Sequence, residues 1–378
     1  GACALGYADA DVNNAVIQAV NQGSASTLNS YEEIDLAERL IELHPWAKMA
    51  RFTRGGGEAC SVAIRIARAA TGRDKIAFCG YHGWHDWYIA ANISDKSSLD
   101  TQLLPGLPPN GVPKGLKNTI FPFNYNNIDE LEEIVQTHLN EIGVIIMEPQ
   151  RDEEPNPGFL EHVREIANSI NAVLIFDEVT SAFRINYGGI HLVYNVSPDI
   201  AVFGKALGNG FPIAAIIGTR KIMEHAQNSF ISSTFWTERI GFVAALATLK
   251  KMGTECVQEK MVYFGTRIKN GWEQLARKHN LNIKIDGIIT QLHIHFNYKD
   301  QLAIDTLLTQ EMLLKGYLAG TQIYVTYAYT DSIIDKYLLD LDFALVKIKV
   351  AIDSGKIQDY LLNEQRNPNF KRLTGGLK

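Results

Sequence analysis

Between about residues 49 and 217 the chain alternates short, apolar, β-rich runs with longer stretches of helical periodicity. The strand candidates are 49–53, 75–79, 118–122, 143–147, 173–176, 200–203 and 213–217. Several are apolar throughout, the pattern of strands buried on both faces of a mainly parallel sheet. Between them, 61–70 places Val62, Ile66 and Ala70 on one face and turns Arg65 and Arg68 away from it. Segments 128–137 and 158–169 read the same way. Strand and helix in alternation predict an α/β layer architecture, a mainly parallel sheet flanked by helices.

One irregular stretch, 95–115, is rich in Pro and Gly; a loop of this length in a compact enzyme is expected to be functional or mobile. Two early helices, 11–20 and 32–43, lie outside the sheet pattern. After about Gly253 the pattern changes to a long helix over 254–279, short strands near 283–288 and 291–296, and helices at 301–315 and 331–352. This predicts a smaller α+β domain. A chain of 378 residues is long for one core. The expected division is an N-terminal segment, 1–30, packing with the small domain, a large domain over 31–252 and a small one over 253–378.

Hydrophobic residues make up 46% and charged residues 21%, the balance of an ordinary soluble globular protein. Net charge is −6 with no long basic run, which argues against nucleic acid or an anionic membrane as partner, since both require clustered Lys and Arg. The longest apolar stretches, such as 144–147 and 213–217, are strand-length and do not span a bilayer. Cys3, Cys60, Cys79 and Cys256 are scattered without a CxxC pair, which predicts reduced thiols and a cytoplasmic protein. No signal peptide is visible, and the chain opens at Gly1 without Met, so native residues are expected to precede it.

Four features carry chemistry. Arg54-Gly55-Gly56-Gly57-Glu58 joins a strand to a helix, where free backbone N–H groups and the helix dipole suit an anion. It matches neither GxGxxG nor a Walker A loop, and turn glycines are the plainer alternative. Cys79-Gly80-Tyr81-His82-Gly83-Trp84-His85-Asp86 follows a strand and suits a site that stacks a flat ring. A loop of packed aromatics is the alternative; a metal held by His82 and His85 lacks further ligands at useful spacing. Leu174-Ile175-Phe176-Asp177-Glu178-Val179 is an apolar strand ending in two acids. A carboxylate there needs a cation, either a protonated pyridine nitrogen or Mg²⁺, the latter without a Walker A partner. In Val202-Phe203-Gly204-Lys205-Ala206-Leu207-Gly208-Asn209-Gly210, a lysine directly follows an apolar strand. Partial desolvation would favour its neutral, nucleophilic form; a surface lysine fits these neighbours poorly.

The order and spacing of these features resemble the class III (fold type I) aminotransferases, which depend on pyridoxal 5'-phosphate (PLP), and most of all the glutamate-1-semialdehyde 2,1-aminomutase-like branch. The similarity starts at Leu5-Gly6-Tyr7 and Asp11-Val12 and runs to the C-terminal helices. Phe176-Asp177-Glu178-Val179 with Gly204-Lys205 is its most specific part, supported by Met147-Glu148-Pro149 and Pro198-Asp199. The resemblance implies that Lys205 forms the Schiff base with PLP and moves the proton, while Asp177 pairs with the pyridinium nitrogen. It implies that Val179 packs beneath the ring, that Tyr81 stacks above it with His82 alongside, and that Gly56 and Gly57 hold the phosphate by their backbone amides. Glu148 would support the site, and Thr234, in Ser232-Ser233-Thr234-Phe235, would reach the cofactor of a neighbouring subunit in a homodimer. No metal is implied.

The chain also departs from the family. Gly55-Gly56-Gly57 stands where Ser-Gly-Thr is usual, so hydroxyl contacts to phosphate are lost; backbone contacts are expected to survive, helped by Arg54, with weaker retention of the cofactor. Trp84-His85-Asp86 is bulkier than the mutase pattern, and Thr234-Phe235-Trp236-Thr237-Glu238-Arg239 differs from the small residues and Asn-Pro pair of that branch. Both argue against glutamate semialdehyde as substrate. The expected activity is transfer of an amino group from a donor amino acid to a ketone or aldehyde, with Trp84, Trp87, Phe235 and Trp236 suited to a bulky acceptor such as a sugar derivative. An aminomutase, which needs the same residues but no external donor, is the alternative, and a non-catalytic PLP-binding relative a third.

Overall fold

The computed structural model of the protein describes residues 1–102 and 105–366. Positions 103–104, inside the loop expected over 95–115, and positions 367–378, at the end of the expected small domain, lie outside the described residues. The chain divides into two compact units, Gly1–Cys256 and a second that begins at Val257. The first is built on seven strands: β1 (Met49–Thr53), β2 (Lys75–Cys79), β3 (Ile120–Pro122), β4 (Ile142–Met147), β5 (Val173–Asp177), β6 (Ile200–Phe203) and β7 (Ala214–Gly218). Across the sheet they run in the order β1-β7-β6-β5-β4-β2-β3. From β3 to β6 all neighbours are parallel, and β7 alone runs against both of its neighbours, β6 and β1. The sheet is the mainly parallel one that the apolar runs predict, with one reversed strand that nothing in the sequence marks.

β4 shows why these strands read as apolar throughout. All six of its residues are buried, and the period-two alternation of a strand divides them between two cores. Val144 and Ile146 pack with Ile64, Ile66 and Ala67 of helix Gly56–Thr71. Ile145 and Met147 face the other way, onto Leu131 of helix Ile128–Thr137 and Leu160 and Val163 of helix Phe159–Ser169. Each fully buried Ile or Val contributes about 1.5–3 kcal/mol relative to exposure, so both layers are needed to stabilise the sheet.

Helix Ala10–Gln22 starts at Asp9, whose side chain accepts from the N–H groups of Asp11 (3.1 Å) and Val12 (3.2 Å). It packs along helix Arg239–Thr254, where Lys251 Nζ meets Asp9 at 2.7 Å and Asp11 at 2.8 Å. Ahead of it, Leu5 donates its N–H to Asn209 Oδ1 at 2.9 Å. Residues 1–30 thus belong to the first unit, not to the second. The long helix expected over 254–279 begins at Val257, and Arg239–Thr254 is a separate helix before it. Its apolar residues run round most of its circumference, leaving no single stripe to read.

The second unit, described by itself, has an antiparallel sheet of β8 (Ile283–Asp286), β9 (Gln291–Phe296) and β10 (Gln322–Tyr324) in the order β10-β9-β8. Leu292, Ile294 and Phe296 are buried, while His293 and His295 share the opposite, partly exposed face. Helices Val257–Lys278, Gln301–Leu314 and Asp331–Ser354 complete it, joined by contacts such as Trp272 Nε1 donating to Tyr337 Oη at 2.9 Å. Among the described residues no helix is long and apolar enough to cross a membrane.

Candidate active site

β1, β2, β5 and β6 run in the same direction, so their carboxyl ends share one edge of the sheet, and the reversed β7 begins at that edge. Ligands of α/β sheets bind at such an edge. The loops there enclose a cleft of about 620 Å³, lined by Gly55–Gly57 after β1, Tyr81–His85 after β2, Asp177, Val179 and Thr180 after β5, Lys205 after β6, and Phe211–Ile213 before β7.

Asp177 is the last residue of β5 and is almost fully buried. Its Oδ1 accepts from Val179 N–H at 3.1 Å; its Oδ2 faces His82 Nδ1 at 2.8 Å and Cys60 Sγ at 3.2 Å. Burial alone would raise its pKa, but the hydrogen bonds from His82, Val179 and Cys60 prevail and hold it below the usual carboxylate range. The other nitrogen of His82, Nε2, lies 3.1 Å from Cys79 carbonyl oxygen, which only accepts. Cys60 is kept as a thiol, its pKa driven well up by burial and by the Asp177 charge, so it remains a donor.

Glu178, next in sequence, points the other way. It is fully buried and accepts from the N–H of Ile190, the N–H of His191 at 3.1 Å and His191 Nδ1. Trp46 Nε1 donates to His191 Nε2 at 2.9 Å, so this imidazole holds its proton on Nδ1, toward Glu178.

Lys205 opens a short 3₁₀ turn, Lys205–Gly208, with φ at +40°, in the left-handed region that disfavours a residue with a Cβ. Its Nζ donates to Thr180 Oγ1 at 2.7 Å. The side chain is open to the cleft, yet the surrounding protein withdraws enough water to lower its pKa; among nearby charges Glu148 opposes this and Arg151 adds to it.

Helix Gly56–Thr71 begins at the cleft with no side chain capping its amino end. Its free N–H groups form an anion-binding terminus. A Cβ on Gly56 would lie 2.8 Å from Val179 Cγ1, so the loop can rest on Val179 only as glycine. Glu58 turns back to accept from Arg54 N–H at 2.9 Å. On the other wall Tyr81 N–H donates to Glu148 Oε2 at 3.1 Å, and Arg151 Nη1 holds both oxygens of Glu148 at 3.2 and 3.1 Å. Burial raises the Tyr81 pKa, keeping it a phenol.

Gly56, Gly57, Tyr81, His82, Asp177, Val179 and Lys205 thus meet in one cleft. Glu148 stands behind its wall, buried and acting through Tyr81. Thr234 is exposed and is not among the lining residues. Arg54, expected to help hold a phosphate, lines the cleft; its Nε donates to the carbonyl oxygen of Phe235 (2.6 Å) and its Nη2 to those of Trp236 (3.1 Å) and Glu238, while its Nη1 is buried without a partner. Of the aromatics expected around an acceptor, Trp84 lines the cleft, but Trp87 is buried and donates to Ser61 Oγ at 3.0 Å. No pattern of residue types singles out Thr180 or Cys60. Thr180 lies three residues past Asp177, and Cys60 sits one helical turn past Gly56, which aims it at the end of β5. Among the described residues, two groups of metal-ligand type gather their donor atoms within 4.8 Å, Cys60-His82-Asp177 here and Asp286-His293-His295 in the second unit. The first is occupied by its own hydrogen bonds, and Asp286 is already met by His295 at 2.9 Å and Lys284 at 3.2 Å.

The class-III aminotransferase family matches residues 1–338. The chain is 31% identical over 348 residues to a 3-aminobutyryl-CoA aminotransferase of Cloacimonas acidaminovorans, covering 88% of this chain and 79% of that protein. It is 36% identical over 309 residues to a glutamate-1-semialdehyde 2,1-aminomutase of Methanocaldococcus jannaschii, covering 79% and 71%. The crystal structure of an omega-transaminase from Sphaerobacter thermophilus superposes with a TM-score of 0.83 at 27% identity, over 92% of this chain and 85% of that one. A lysine, a carboxylate and a glycine-headed helix at one edge of such a sheet accord with these likenesses, and the chain belongs to the class-III aminotransferases, enzymes of the fold type I architecture that work with PLP.

Proposed function

We propose that this enzyme transfers the amino group of a donor amino acid to a ketone or aldehyde with Lys205 as its covalent tether to PLP. The observation that carries the reading is the convergence of Lys205 Nζ, the Asp177 carboxylate and the bare amino end of helix Gly56–Thr71 on one cleft. The residues suit the cofactor's three parts. Gly56 and Gly57 offer backbone N–H groups to a phosphate, where a side chain at Gly56 would collide with Val179. Tyr81 offers an aromatic face to a ring, and Val179 an apolar branched side chain. Asp177, held ionised by its donors, offers a counter-charge to a protonated ring nitrogen. When bound, PLP withdraws electrons from the carbon that carries the transferred nitrogen.

The protein's own share is nucleophilic and acid–base. The lowered pKa of Lys205 raises the fraction of free amine, and Thr180 Oγ1 fixes where that amine points. With PLP bound, the same Nζ would be the base placed to take up the proton released from the substrate carbon. His82 and Cys60 keep Asp177 ionised and in place, and Glu148 positions Tyr81 through its backbone. Thr234, exposed and outside its own cleft, supports a homodimer in which it reaches the partner's cofactor. Trp84 at the mouth supports a bulky acceptor, such as a sugar derivative. Four unpaired cysteines support a cytoplasmic setting.

The similarity to aminomutases supports a second reading, transfer within one molecule. The visible spectrum with PLP, compared between the native chain and Lys205→Ala and then with glutamate added, tests the first. A lysine-dependent band that bleaches with release of a keto acid is expected. A band that never needs Lys205 would overturn the proposal, and turnover of an amino aldehyde without any external donor would establish the mutase.

A further inference from the structure

Three successive glycines leave the amino end of helix Gly56–Thr71 with backbone donors only. The space beside it is nevertheless filled. A Cβ on Gly57 would stand 3.1 Å from His85 Nδ1, 3.3 Å from His85 Cε1 and 3.3 Å from Gly83 Cα. Gly83, at φ +101°, is bound by the same approach, since its own Cβ would fall 2.7 Å from Gly57 Cα. The imidazole of His85 therefore occupies the volume that a side chain at position 57 would take, and Gly57 with Gly83 is what admits it.

The hydrogen count on this ring decides what it can do. His85 Nδ1 is enclosed and has no hydrogen-bond partner. Burial lowers the pKa of His85, with Glu58 and Asp86 opposing, so near neutral pH the ring is uncharged and carries one proton. Placed on Nδ1, that proton would face the Cα groups of Gly57 and Gly83, which accept nothing, at the cost of an unsatisfied buried donor. The proton belongs on Nε2, the nitrogen that is not enclosed, and His85 is part of the cleft wall. Stacking on Trp84, with centroids 4.6 Å apart at 23°, limits rotation of the ring. Arg54 also lines the cleft, but its Nε and Nη2 serve the carbonyls at 235, 236 and 238, and its unpartnered Nη1 is enclosed.

We infer that His85 is this chain's own side-chain ligand for the phosphate of PLP, donating from Nε2 beside the backbone amides of Gly56 and Gly57. The inference rests on the reading that PLP occupies this cleft. It makes Gly57 and His85 one device: a side-chain donor stands in the loop after β2, and Gly57 with Gly83 leaves the room it fills.

Titration of the cofactor-free protein with PLP and with pyridoxal, which lacks the phosphate, tests this by dissociation constant instead of turnover. His85→Ala is expected to weaken PLP about ten- to a hundredfold, the range for losing a hydrogen bond to a charged group, and to leave pyridoxal within about twofold. His85→Gln, which keeps a donor, should recover part of the loss. Gly57→Thr should weaken PLP in the native background, where it meets the imidazole, but restore the preference for PLP over pyridoxal when combined with His85→Ala. Equal weakening of both ligands by His85→Ala, or no weakening of PLP, would overturn the assignment while leaving the cofactor site in place. If the native protein forms no Lys205-dependent band with either ligand, the reading of the cleft itself falls and this inference falls with it.

Discussion

Lys205 is held where a residue with a side chain pays a conformational cost, and that cost can be isolated. At φ +40° an L-residue is disfavoured by about 1–2 kcal/mol, whereas glycine is indifferent to the sign of φ. Glycine's freedom in the unfolded chain returns up to about 1 kcal/mol of this. Lys205→Ala and Lys205→Gly both remove the amine, its bond to Thr180 and its desolvation, so these terms cancel between them. Lys205→Gly should then be the more stable of the two by about 0.5–1 kcal/mol, the reverse of the usual order at a helical position. The assay is urea unfolding of the cofactor-free variants at one protein concentration, followed by tryptophan fluorescence. A midpoint higher by a few tenths of a molar for the glycine variant is expected. If the alanine variant unfolds at the same or a higher urea concentration, position 205 is not strained and the argument fails. The confirmed order would mean that stability is given up at the reactive lysine, as strain at functional sites predicts.

Three further outcomes are expected. Asp177→Asn removes the charge that His82, Cys60 and Val179 stabilise; turnover should fall at least about a hundredfold while the Lys205-dependent band persists, and near-native turnover would refute the role of the carboxylate. Gly80 has φ +105°, and its Cβ would lie 2.7 Å from Glu148 Oε2, so Gly80→Ala should lose about 2–4 kcal/mol in urea unfolding and weaken PLP as Tyr81 loses its anchor; unchanged values for both would refute this. His44 is sealed in its neutral form, with Nδ1 on Leu40 carbonyl oxygen at 2.8 Å and Nε2 accepting from Gly189 N–H at 2.9 Å, and burial lowers its pKa from 6.5 to about 4. The unfolded chain takes up this proton first, so stability present above about pH 6.5 declines as pH falls toward 4, by about 3 kcal/mol in all; His44→Gln should show a shallower acid dependence, and an identical profile would disprove the assignment.

Much of this was legible in the sequence because strands buried on both faces announce themselves as apolar runs. Asp177 and Lys205 stand out where such runs end, since a charge there needs a reason. What stayed hidden depended on directions that residue types do not encode. β7 is buried throughout, and an all-apolar strand reads the same whichever way it runs, so its reversal leaves no trace. Asp177 and Glu178 look equivalent in the sequence, yet successive strand residues face opposite sides, which sends only the first to the cleft. Cys60 and Thr180 draw their meaning from partners brought in by the fold. Arg54 carried the right charge beside the right loop, but three carbonyl oxygens claim it.

The divergence of those two acids bears on how the enzyme receives its cofactor. Asp177 is fixed from the cleft side by His82 and Cys60, while Glu178 fastens the same strand end to the backbone at Ile190 and His191. The end of β5 is braced on both sides by the protein alone. On the proposed reading, loading PLP would carry little ordering cost at Asp177, and the amides of Val179, Ile190 and His191 are expected to resist hydrogen exchange in the empty protein as well as the loaded one.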